Sequence, residues 1–381
     1  MSKSLYVPSP AKIKVVGLGG SGSNAITRMV RQQIRGVEFI AMNTDAQALA
    51  VTEAPVRIQL GERLTRGLGA GGDHNVGRGS AEESRNEIKE AVCGADMVFI
   101  AAGMGGGTGT GSAPVVAEIA KSSGALTIAV VTKPFGFEGT HRNKVAEEGI
   151  NNLKGNCDTT LIVPNDKLLD VCDKKIAVDA AFKMADDVLY HGVQAIAEVI
   201  TVPGLINLDF ADVRAIMKDA GPAWMSIGHG TGQNRAVDAA KQALASPLLD
   251  VSVHGAKGVL LNMAGGNLSL MEVNAAAEVI KAAVDPYANV IFGVVLDESM
   301  EKDMRITLIA TGFEIKETDP NKDRDKEMAR FANNIRRDEL EVPPFMRQRQ
   351  AAMERFAGDR SGGSMGQMAP ARVDRGQSRF R

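Results

Sequence analysis

Short apolar segments alternate with amphipathic ones along the first half of the chain. Each apolar segment has the length of a buried strand, and the segments between them have helical spacing. Strands that alternate with helices are typical of α/β proteins with a parallel, doubly wound sheet. The predicted strands cover residues 12–16, 37–42, 95–101, 125–132 and 160–163.

A longer helical periodicity follows over residues 175–201. It predicts one long helix, with Asp173 as a candidate N-terminal cap and with Pro203 and Gly204 ending it. Beyond this helix the pattern predicts a second, smaller α/β region, with Trp224 in its core. Its helices are expected near residues 211–219, 234–245 and 271–283, and its strands near 223–228, 257–263, 290–296 and 304–311.

These patterns divide the chain into seven parts. The charged stretch after Phe313 has few large apolar residues, which predicts a solvated linker, and the last part is basic and rich in Gly, Ser, Met and Gln. The parts are a flexible N-terminus (1–11), a first α/β domain (12–174), a central helix (175–202), a second α/β domain (203–315), a linker (316–337), a short peptide (338–349) and a disordered basic tail (350–381).

Composition excludes several classes of protein. The hydrophobic fraction of 44% and the net charge of -2 are those of an ordinary globular chain and give no electrostatic reason to bind nucleic acid. The sequence has neither an apolar run of about 18 residues nor a secretory signal, which predicts a cytoplasmic location. Cys93, Cys157 and Cys172 lie far apart without CxxC spacing, so neither a metal site nor a disulfide framework is expected.

A first glycine cluster, GLGGSG at 17–22, lies between a predicted strand and a predicted helix. It fits the GxGxxG pattern, in which glycines let backbone N–H groups approach a diphosphate at a helix N-terminus. The pattern alone is weak evidence. A plain tight turn explains it, and so does a nicotinamide-dependent oxidoreductase, for which Glu38 has the spacing of the ribose-binding acid.

A second cluster, GMGGGTGTG at 103–111, has the same context, with Pro114 early in the following helix. Two such loops favour a triphosphate held between two helix N-termini, with Thr108 and Thr110 as hydroxyl donors. A purely structural role is disfavoured, because every glycine costs folding entropy. No GxxxxGK[ST] motif supplies a lysine, so charge compensation predicts Mg²⁺ bound mainly through the phosphates, with no protein metal site.

The second cluster resembles the signature loop of the tubulin-like GTPases, and further motifs resemble the FtsZ family of bacterial cell-division GTPases. These motifs are NTDAQAL at 43–49, PFGFEG at 134–139 with Arg142, VPNDKLL at 163–169 and NLDFADV at 207–213. The resemblance extends from about residue 13 to residue 313. It implies a tubulin-like fold in which residues 12–174 bind GTP and residues 203–315 form a GTPase-activating domain.

The resemblance also implies GTP and GDP as ligands. One departure from the family pattern is Gly72, Asp73 and His74, which replace a usual Ala-Asn-Pro in the loop expected at the γ-phosphate; His74 is interpreted as a bystander. The binding residues carried over to this sequence are Gly19, Gly20, Ser21, Gly22, Asn24, Asn43, Asp45, Gly71, Gly72, Gly105, Gly106, Gly107, Thr108, Gly109, Thr110, Gly111, Pro134, Glu138, Arg142, Asn165, Phe182 and Asp186.

Three of these residues offer a chemistry for the base. The Asp186 carboxylate can accept the N1–H and 2-amino hydrogens of guanine, which adenine lacks on that edge, and Asn165 adds an amide. Phe182 lies four residues before Asp186 and therefore on the same helix face, where its ring can stack on the base. Without the resemblance, a core Phe182 and a solvated Asp186 explain the same pattern.

The resemblance assigns Asn207, Asp209 and Asp212 to catalysis. Some 20 residues of helix separate Phe182 from the helix end, or about 30 Å, so these side chains cannot reach the nucleotide of their own subunit. They would act beside the γ-phosphate of a neighbouring subunit, and such a head-to-tail contact repeats into a filament. The alternative is structural: Asn207 caps a turn and Asp212 stabilises a helix N-terminus.

The segment between Asp338 and Arg347 resembles the family's C-terminal docking peptide. This implies membrane tethers and assembly regulators as partners, indirect membrane contact and a mid-cell location on the inner face of the membrane. For the basic tail, contact with anionic lipid, contact with neighbouring filaments and simple solubility stay open.

The predicted function is a GTPase that polymerises head to tail into the division ring and hydrolyses GTP at the subunit interface to drive filament turnover. The alternative is a GTP-binding filament scaffold without efficient hydrolysis, which the intact Asp209 and Asp212 disfavour. The second glycine loop and the guanine-recognising pair disfavour the oxidoreductase.

Overall fold

The computed structural model describes residues 11–170, 176–202, 206, 208–248, 255–297 and 299–313. Its strands are β1 (Ile13–Leu18), β2 (Val37–Asn43), β3 (Val56–Gln59), β4 (Met97–Gly103), β5 (Leu126–Lys133), β6 (Thr159–Pro164), β7 (Gly221–Thr231), β8 (Gly258–Gly265), β9 (Asn289–Leu296) and β10 (Asp303–Thr311). Its helices are α1 (Gly19–Arg31), α2 (Ala46–Ala50), α3 (Glu62–Thr65), α4 (His74–Glu83), α5 (Arg85–Val92), α6 (Thr108–Ser122), α7 (Thr140–Lys154), α8 (Asp166–Leu169), α9 (Val178–Thr201), α10 (Phe210–Met217), α11 (Arg235–Leu244) and α12 (Leu270–Ala283), with a 3-10 turn at Gly136–Glu138.

The described strands form one continuous sheet in the order β3-β2-β1-β4-β5-β6-β7-β10-β8-β9. From β3 to β7 all pairings are parallel, and β10 then runs antiparallel to both β7 and β8. β4 and β5 are buried along nearly their whole length, because helices cover both faces of the sheet. The predicted doubly wound α/β fold is confirmed.

Alternate side chains of β1 enter two different cores. Val15 packs on the face covered by α1 and α9, whereas Val16 packs on the face covered by α5 and α6. A third core lies between the C-terminal strands and helices α11 and α12. Alanines of α11 lie against β7, where a Cβ on Gly228 would come within 2.0 Å of the Ala239 carbonyl oxygen. Small residues on both elements therefore permit this close contact.

The long helix α9 begins at Val178, later than the residue 175 that the periodicity predicted. Its N-cap is Ala177, which has no capping side chain, and Asp173 lies outside the described residues. At its other end, Thr201 lies against Gly36. A Cβ added to Gly36 would come within 2.7 Å of the Thr201 Cγ2. Gly36 directly precedes β2, so α9 ends at the amino edge of the parallel strands.

One further expectation needs correction, and one strand was not predicted. Trp224 is half-buried rather than in the core, because its neighbours Ala223 and Met225 take the buried face of β7 and the indole instead meets Phe313 edge-on at 4.6 Å between ring centroids. The short edge strand β3 was not predicted, since its sequence, VRIQ, lacks an apolar run.

The predicted domain boundary at residue 203 falls within one compact unit, because β6 and β7 pair directly across it. The predicted linker, docking peptide and tail lie outside the described residues. Across the part of the chain that is described, no helix combines the length and apolarity needed to cross a bilayer.

Candidate functional site

A cavity of about 250 Å³ opens where β1, β4, β5 and β6 end. Open α/β sheets bind their ligands at this carboxyl edge. The predicted binding residues do not include all of its lining. Gly103 and Met104 line the cavity but were not predicted to, although they begin the second glycine cluster. The predicted nucleotide-binding residues that line the cavity are Gly19, Gly20, Ser21, Gly106, Gly107, Thr108, Gly109, Pro134, Glu138, Arg142, Asn165, Phe182 and Asp186.

Two helix N-termini meet at one end of the cavity. The N-cap residues of α1 and α6, Leu18 and Gly107, provide no side-chain cap, so the first-turn N–H groups stay available to a ligand. The helices begin very close together, since a Cβ on Gly19 would lie 3.0 Å from the backbone nitrogen of Gly109. Two positive dipole ends at this distance favour a polyanion such as a triphosphate.

Hydroxyl groups extend this anion-binding end. The Thr108 hydroxyl lies 2.6 Å from the Thr44 hydroxyl. Thr44 is fully buried, and it was not among the predicted binding residues. Thr44 follows β2 directly, within the motif at 43–49, so its position was the available signal. The contact holds the Thr108 side chain at the cavity wall.

At the other end, α9 and the end of β6 carry the predicted base-binding groups. Asn165 is 5% exposed, and its Oδ1 has no hydrogen-bond partner among the described residues. Phe182 is 40% exposed and meets the buried Phe135 edge-on at 5.5 Å between centroids. An exposed ring supported from behind and an unsatisfied buried amide oxygen are features of a ligand surface rather than of a core.

Asp186 lies between these groups and is mostly withdrawn from solvent. Burial raises the pKa of its carboxyl to about 7, although the positive charge of Arg28 acts to lower it; the neighbouring Asp187 carboxylate raises it further. Its burial is not that of a solvated surface acid, and it lines the cavity rather than lying apart from it. Hydrogen-bond donors brought by a ligand would stabilise the ionised form.

Glu138 and Arg142 form an ion pair on the cavity wall. Glu138 also accepts a hydrogen bond from the Phe135 backbone N–H at 2.9 Å, which closes the 3-10 turn. The carboxylate therefore has structural partners, while the Arg142 side chain is more than half exposed and keeps donors for a ligand.

Several predicted binding residues do not line the cavity. Gly22 instead permits α1 to approach β4, because a Cβ there would lie 2.4 Å from the Ala101 carbonyl oxygen. Asn43 accepts from the Asp45 N–H, and Asp45 caps α2 by accepting from Gln47 and Ala48. These residues shape the loop that holds Thr44. The exposed positions Asn24, Gly71 and Gly72 also lie outside the lining.

Part of the second glycine cluster serves packing, while Gly106, Gly107 and Gly109 line the cavity. A Cβ on Gly111 would lie 2.0 Å from the His74 carbonyl oxygen of α4, so this glycine lets α4 cross α6. Thr110 is 1% exposed, and its hydroxyl accepts from the Gly105 N–H at 2.8 Å, which shapes the loop. Gly105, Thr110 and Gly111 lie behind the cavity wall.

The predicted catalytic acids begin α10. Asp209 accepts from the Asp212 N–H at 2.8 Å, and Asp212 accepts from the Asp209 N–H at 3.3 Å, which is a reciprocal capping box. Asp209 is exposed and Asp212 is half-buried, and capping leaves carboxylate oxygens free for other partners. Asn207 lies outside the described residues.

These acids lie at the edge of the sheet opposite the cavity. α9 begins beside the cavity, and its axis rises about 29 Å between Phe182 and Thr201, where it reaches the amino edge. The end of α10 lies at the same edge, because the Met217 carbonyl accepts from the Thr159 hydroxyl at the start of β6. One subunit therefore carries the two sets of residues on opposite ends.

Other chemistries find less support. In the described ranges, no three His, Cys, Asp or Glu side chains converge to hold a metal ion. Glu38 lies near the start of β2, where it pairs with Lys14 at 3.5 Å, and not at the carboxyl edge where a dinucleotide ribose would bind.

Comparisons with known proteins agree with this architecture. The model of the Tubulin/FtsZ family, GTPase domain, matches residues 12–173, and that of the FtsZ family, C-terminal domain, matches residues 221–314. An empty FtsZ dimer from M. jannaschii is 48% identical, with a TM-score of 0.78 over 80% of this chain and 89% of that one. CetZ2 from Haloferax volcanii, a GTPγS-bound protofilament, shares the fold at 19% identity, with a TM-score of 0.68 over 84% of this chain and 99% of that one.

The matched GTPase domain contains both glycine loops and most of the cavity, and it implies GTP and GDP as ligands. The second matched domain covers the sheet from β7 to β10. Because both halves match and nearly half of the aligned residues are identical to an FtsZ, the chain belongs to the FtsZ family of tubulin-like GTPases.

Proposed function

We propose that this chain binds GTP in the cavity, assembles head to tail, and hydrolyses GTP at the joint between subunits, as the filament protein of a division ring. One observation carries the proposal. The nucleotide cavity and the acids Asp209 and Asp212 lie at opposite edges of the same sheet, so each subunit has half of an active site at each end.

The cavity has two chemically distinct ends for the two ends of GTP. The N-termini of α1 and α6 receive the phosphates, with Thr108 and Arg142 as additional donors. Asn165, Phe182 and Asp186 receive the base, and the carboxylate of Asp186 selects guanine by accepting its N1–H and 2-amino hydrogens. Mg²⁺ would be held mainly by the phosphates, whose charge it neutralises.

Hydrolysis needs a water placed in line with the γ-phosphate. Asp209 and Asp212, with Asn207 beside them in sequence, would orient and polarise this water from the neighbouring subunit. Because the contact joins opposite ends, it does not close and repeats into a filament. Cleavage removes the γ-phosphate from the joint and weakens it, which drives filament turnover.

The role in a division ring rests on family membership, as do the partners. The proposed docking peptide between Asp338 and Arg347 would bind membrane tethers and assembly regulators and bring the filament to the inner face of the membrane at mid-cell, with only indirect membrane contact. A filament scaffold without efficient hydrolysis is the second candidate, and the presence of both Asp209 and Asp212 counts against it.

The test is phosphate release from GTP with Mg²⁺ over a series of protein concentrations, with light scattering recorded in parallel. The rate per subunit is expected to be negligible below a threshold concentration and to rise with scattering above it. Asp212→Ala should abolish the rate while nucleotide still binds.

Asp238→Ala is the matched control, because Asp238, like Asp212, is an acid in the first turn of a helix, in this case α11. It should leave the rate unchanged. A rate per subunit that does not depend on concentration would place all catalytic groups within one subunit and refute the mechanism. Concentration-dependent scattering without phosphate release would favour the scaffold.

A further inference from the structure

Arg28 connects α1 to α9. It lies in the last turn of α1, and its Nη1 donates to the Lys183 carbonyl oxygen at 2.6 Å and to the Asp187 carboxylate. The Arg28 side chain is 29% exposed and that of Asp187 is 46% exposed, so the contact is only partly screened by water. Arg28 does not line the nucleotide cavity.

The residues that Arg28 holds alternate along α9 with those that line the cavity. Lys183 and Asp187 are four positions apart and share one face, whereas Phe182 and Asp186 share the adjacent face, about 100° away. Because the helix is rigid over one turn, a contact that fixes the first face also fixes the rotation of the second. The placement of Phe182 and Asp186 therefore depends on the contact that Arg28 makes.

The same helix also reaches the opposite end of the cavity. Gly19, Gly20 and Ser21, at the start of α1, line the anion-binding end, and Arg28 lies about 14 Å farther along the helix axis. α1 thus spans the distance from the phosphate end to the face of α9 that adjoins the one carrying the base-binding groups.

We propose that Arg28 is a positioning residue for guanine recognition, which ties α9 to α1 so that Phe182 and Asp186 lie at a fixed distance and rotation from the phosphate-binding turn. This inference rests on the proposed GTP binding. It adds a residue outside the cavity, and outside the motifs of the sequence, to the determinants of base specificity.

The charges around Asp186 give this role a second consequence. From α1 it faces Arg28, along α9 it neighbours Asp187, and within the cavity lie Glu138 and Arg142. Arg28 lowers the pKa of Asp186, so its removal would keep that carboxyl protonated to higher pH. Guanine binding in an Arg28 variant should then need a more alkaline solution.

The experiment compares GDP with IDP, which lacks the 2-amino group, and with ADP, by equilibrium binding to the full chain between pH 6 and 8. Arg28→Ala is expected to raise the Kd for GDP roughly tenfold at pH 7, to raise that for IDP less, and to shift the pH profile upward. Arg28→Lys should recover part of the loss.

Arg31→Ala is the matched control, because Arg31 lies one turn farther along α1 and pairs with Glu53 instead of α9. It should bind all three nucleotides as the wild type does. Asp187→Asn removes the charged acceptor while preserving side-chain size, and it carries the same affinity test if Arg28→Ala fails to fold. Because the Asp187 carboxylate raises the pKa of Asp186, this variant should shift the pH profile downward instead. Combined with Arg28→Ala, it should add little further loss.

The outcomes separate the two proposals. A wild type that binds GDP no better than ADP would contradict the proposed function itself. A wild type that prefers GDP, with folded Arg28→Ala and Asp187→Asn variants that keep its ratio of GDP to IDP affinity and its pH profile, would overturn the positioning role and leave GTP binding intact.

Discussion

Asp186 is a carboxyl group in a place that water reaches poorly, and in the proposed function its chemistry selects the base. Burial raises its pKa to about 7, so near neutral pH the free protein holds a mixture of acid and carboxylate. Only the carboxylate accepts both the N1–H and the 2-amino hydrogens of guanine. In the proposed mode of guanine binding, nucleotide binding is therefore coupled to loss of a proton.

This coupling predicts the pH dependence of GDP binding. Below the pKa of about 7 the acid must ionise before it binds the base, so affinity falls as pH falls; above it the carboxylate is already present and affinity levels off. Between pH 8 and pH 6 the Kd for GDP should rise about tenfold. Calorimetric titration of the wild type measures this change.

Asp186→Asn is the control, because its amide does not titrate in this range. It should bind GDP more weakly at every pH, with a flat profile. A wild-type profile as flat as that of the variant would show that the Asp186 carboxyl does not exchange a proton when the base binds.

At this scale the sequence motifs include most of the cavity lining, but some of the predicted binding residues lie outside that lining. Gly111 and Gly106 look alike in GMGGGTGTG, yet one lies under α4 and the other faces open space. Thr110 lies two residues after Thr108 and is nevertheless buried behind the loop. Spacing alone does not distinguish a glycine needed for a ligand from one needed for a neighbouring helix.

At the scale of elements, the crossing of α4 and α6 connects the phosphate-binding loop to the rest of the fold. Gly77 and Gly107 face each other across it, since a Cβ on Gly77 would lie 2.2 Å from the Gly107 carbonyl oxygen. Gly111 makes a similar contact with His74. The backbones touch without side chains between them, so the loop position is set by helix packing.

A matched pair of substitutions tests this division of tasks. Gly111→Ala places a methyl group against the α4 backbone and is expected to cost about 1–3 kcal/mol of unfolding free energy. Gly106→Ala meets no atom within 4 Å and should leave stability nearly unchanged while weakening nucleotide binding, because it lines the cavity.

Urea unfolding without nucleotide measures the first effect, and GDP binding measures the second. Equal stability of the two variants would mean that α4 moves away at little cost, and that Gly111 is not required for the crossing.

At the scale of the whole molecule, the parallel sheet separates two chemical ends. The cavity lies at its carboxyl edge, and α10, with Asp209 and Asp212, follows the end of α9 at its amino edge. A shared active site then predicts that two inactive variants complement each other. Asp212→Ala keeps the cavity, and Gly106→Phe fills it with a ring but keeps the acids.

Mixed in equal amounts, these variants should recover about a quarter of the wild-type GTPase rate, because one in four random joints pairs an intact cavity with intact acids. Each variant alone should be inactive, and phosphate release measures all three samples. A mixture as inactive as its components, although it scatters light like the wild type, would contradict an active site built from two subunits.

The sequence by itself determined the fold class, the approximate lengths of the strands, the two glycine turns and the presence of a long helix, which it predicted over residues 175–201. These features depend on local periodicity and on glycine conformations, which are written in neighbouring residues. The candidate site came instead from the resemblance to the family motifs, each of which is a short contiguous segment. The start of α9 was misplaced by three residues, because no capping side chain marks it.

Only the tertiary structure decided how distant residues meet. Three contacts join residues that are far apart in the chain. They are the contact of Arg28 with Lys183 and Asp187, the pairing of β6 with β7, and the contact of the half-buried Trp224 with Phe313. The pKa of Asp186 likewise depends on burial, and this burial is produced by elements other than its own helix α9. Such properties arise from packing, and packing is a property of the whole chain rather than of any segment.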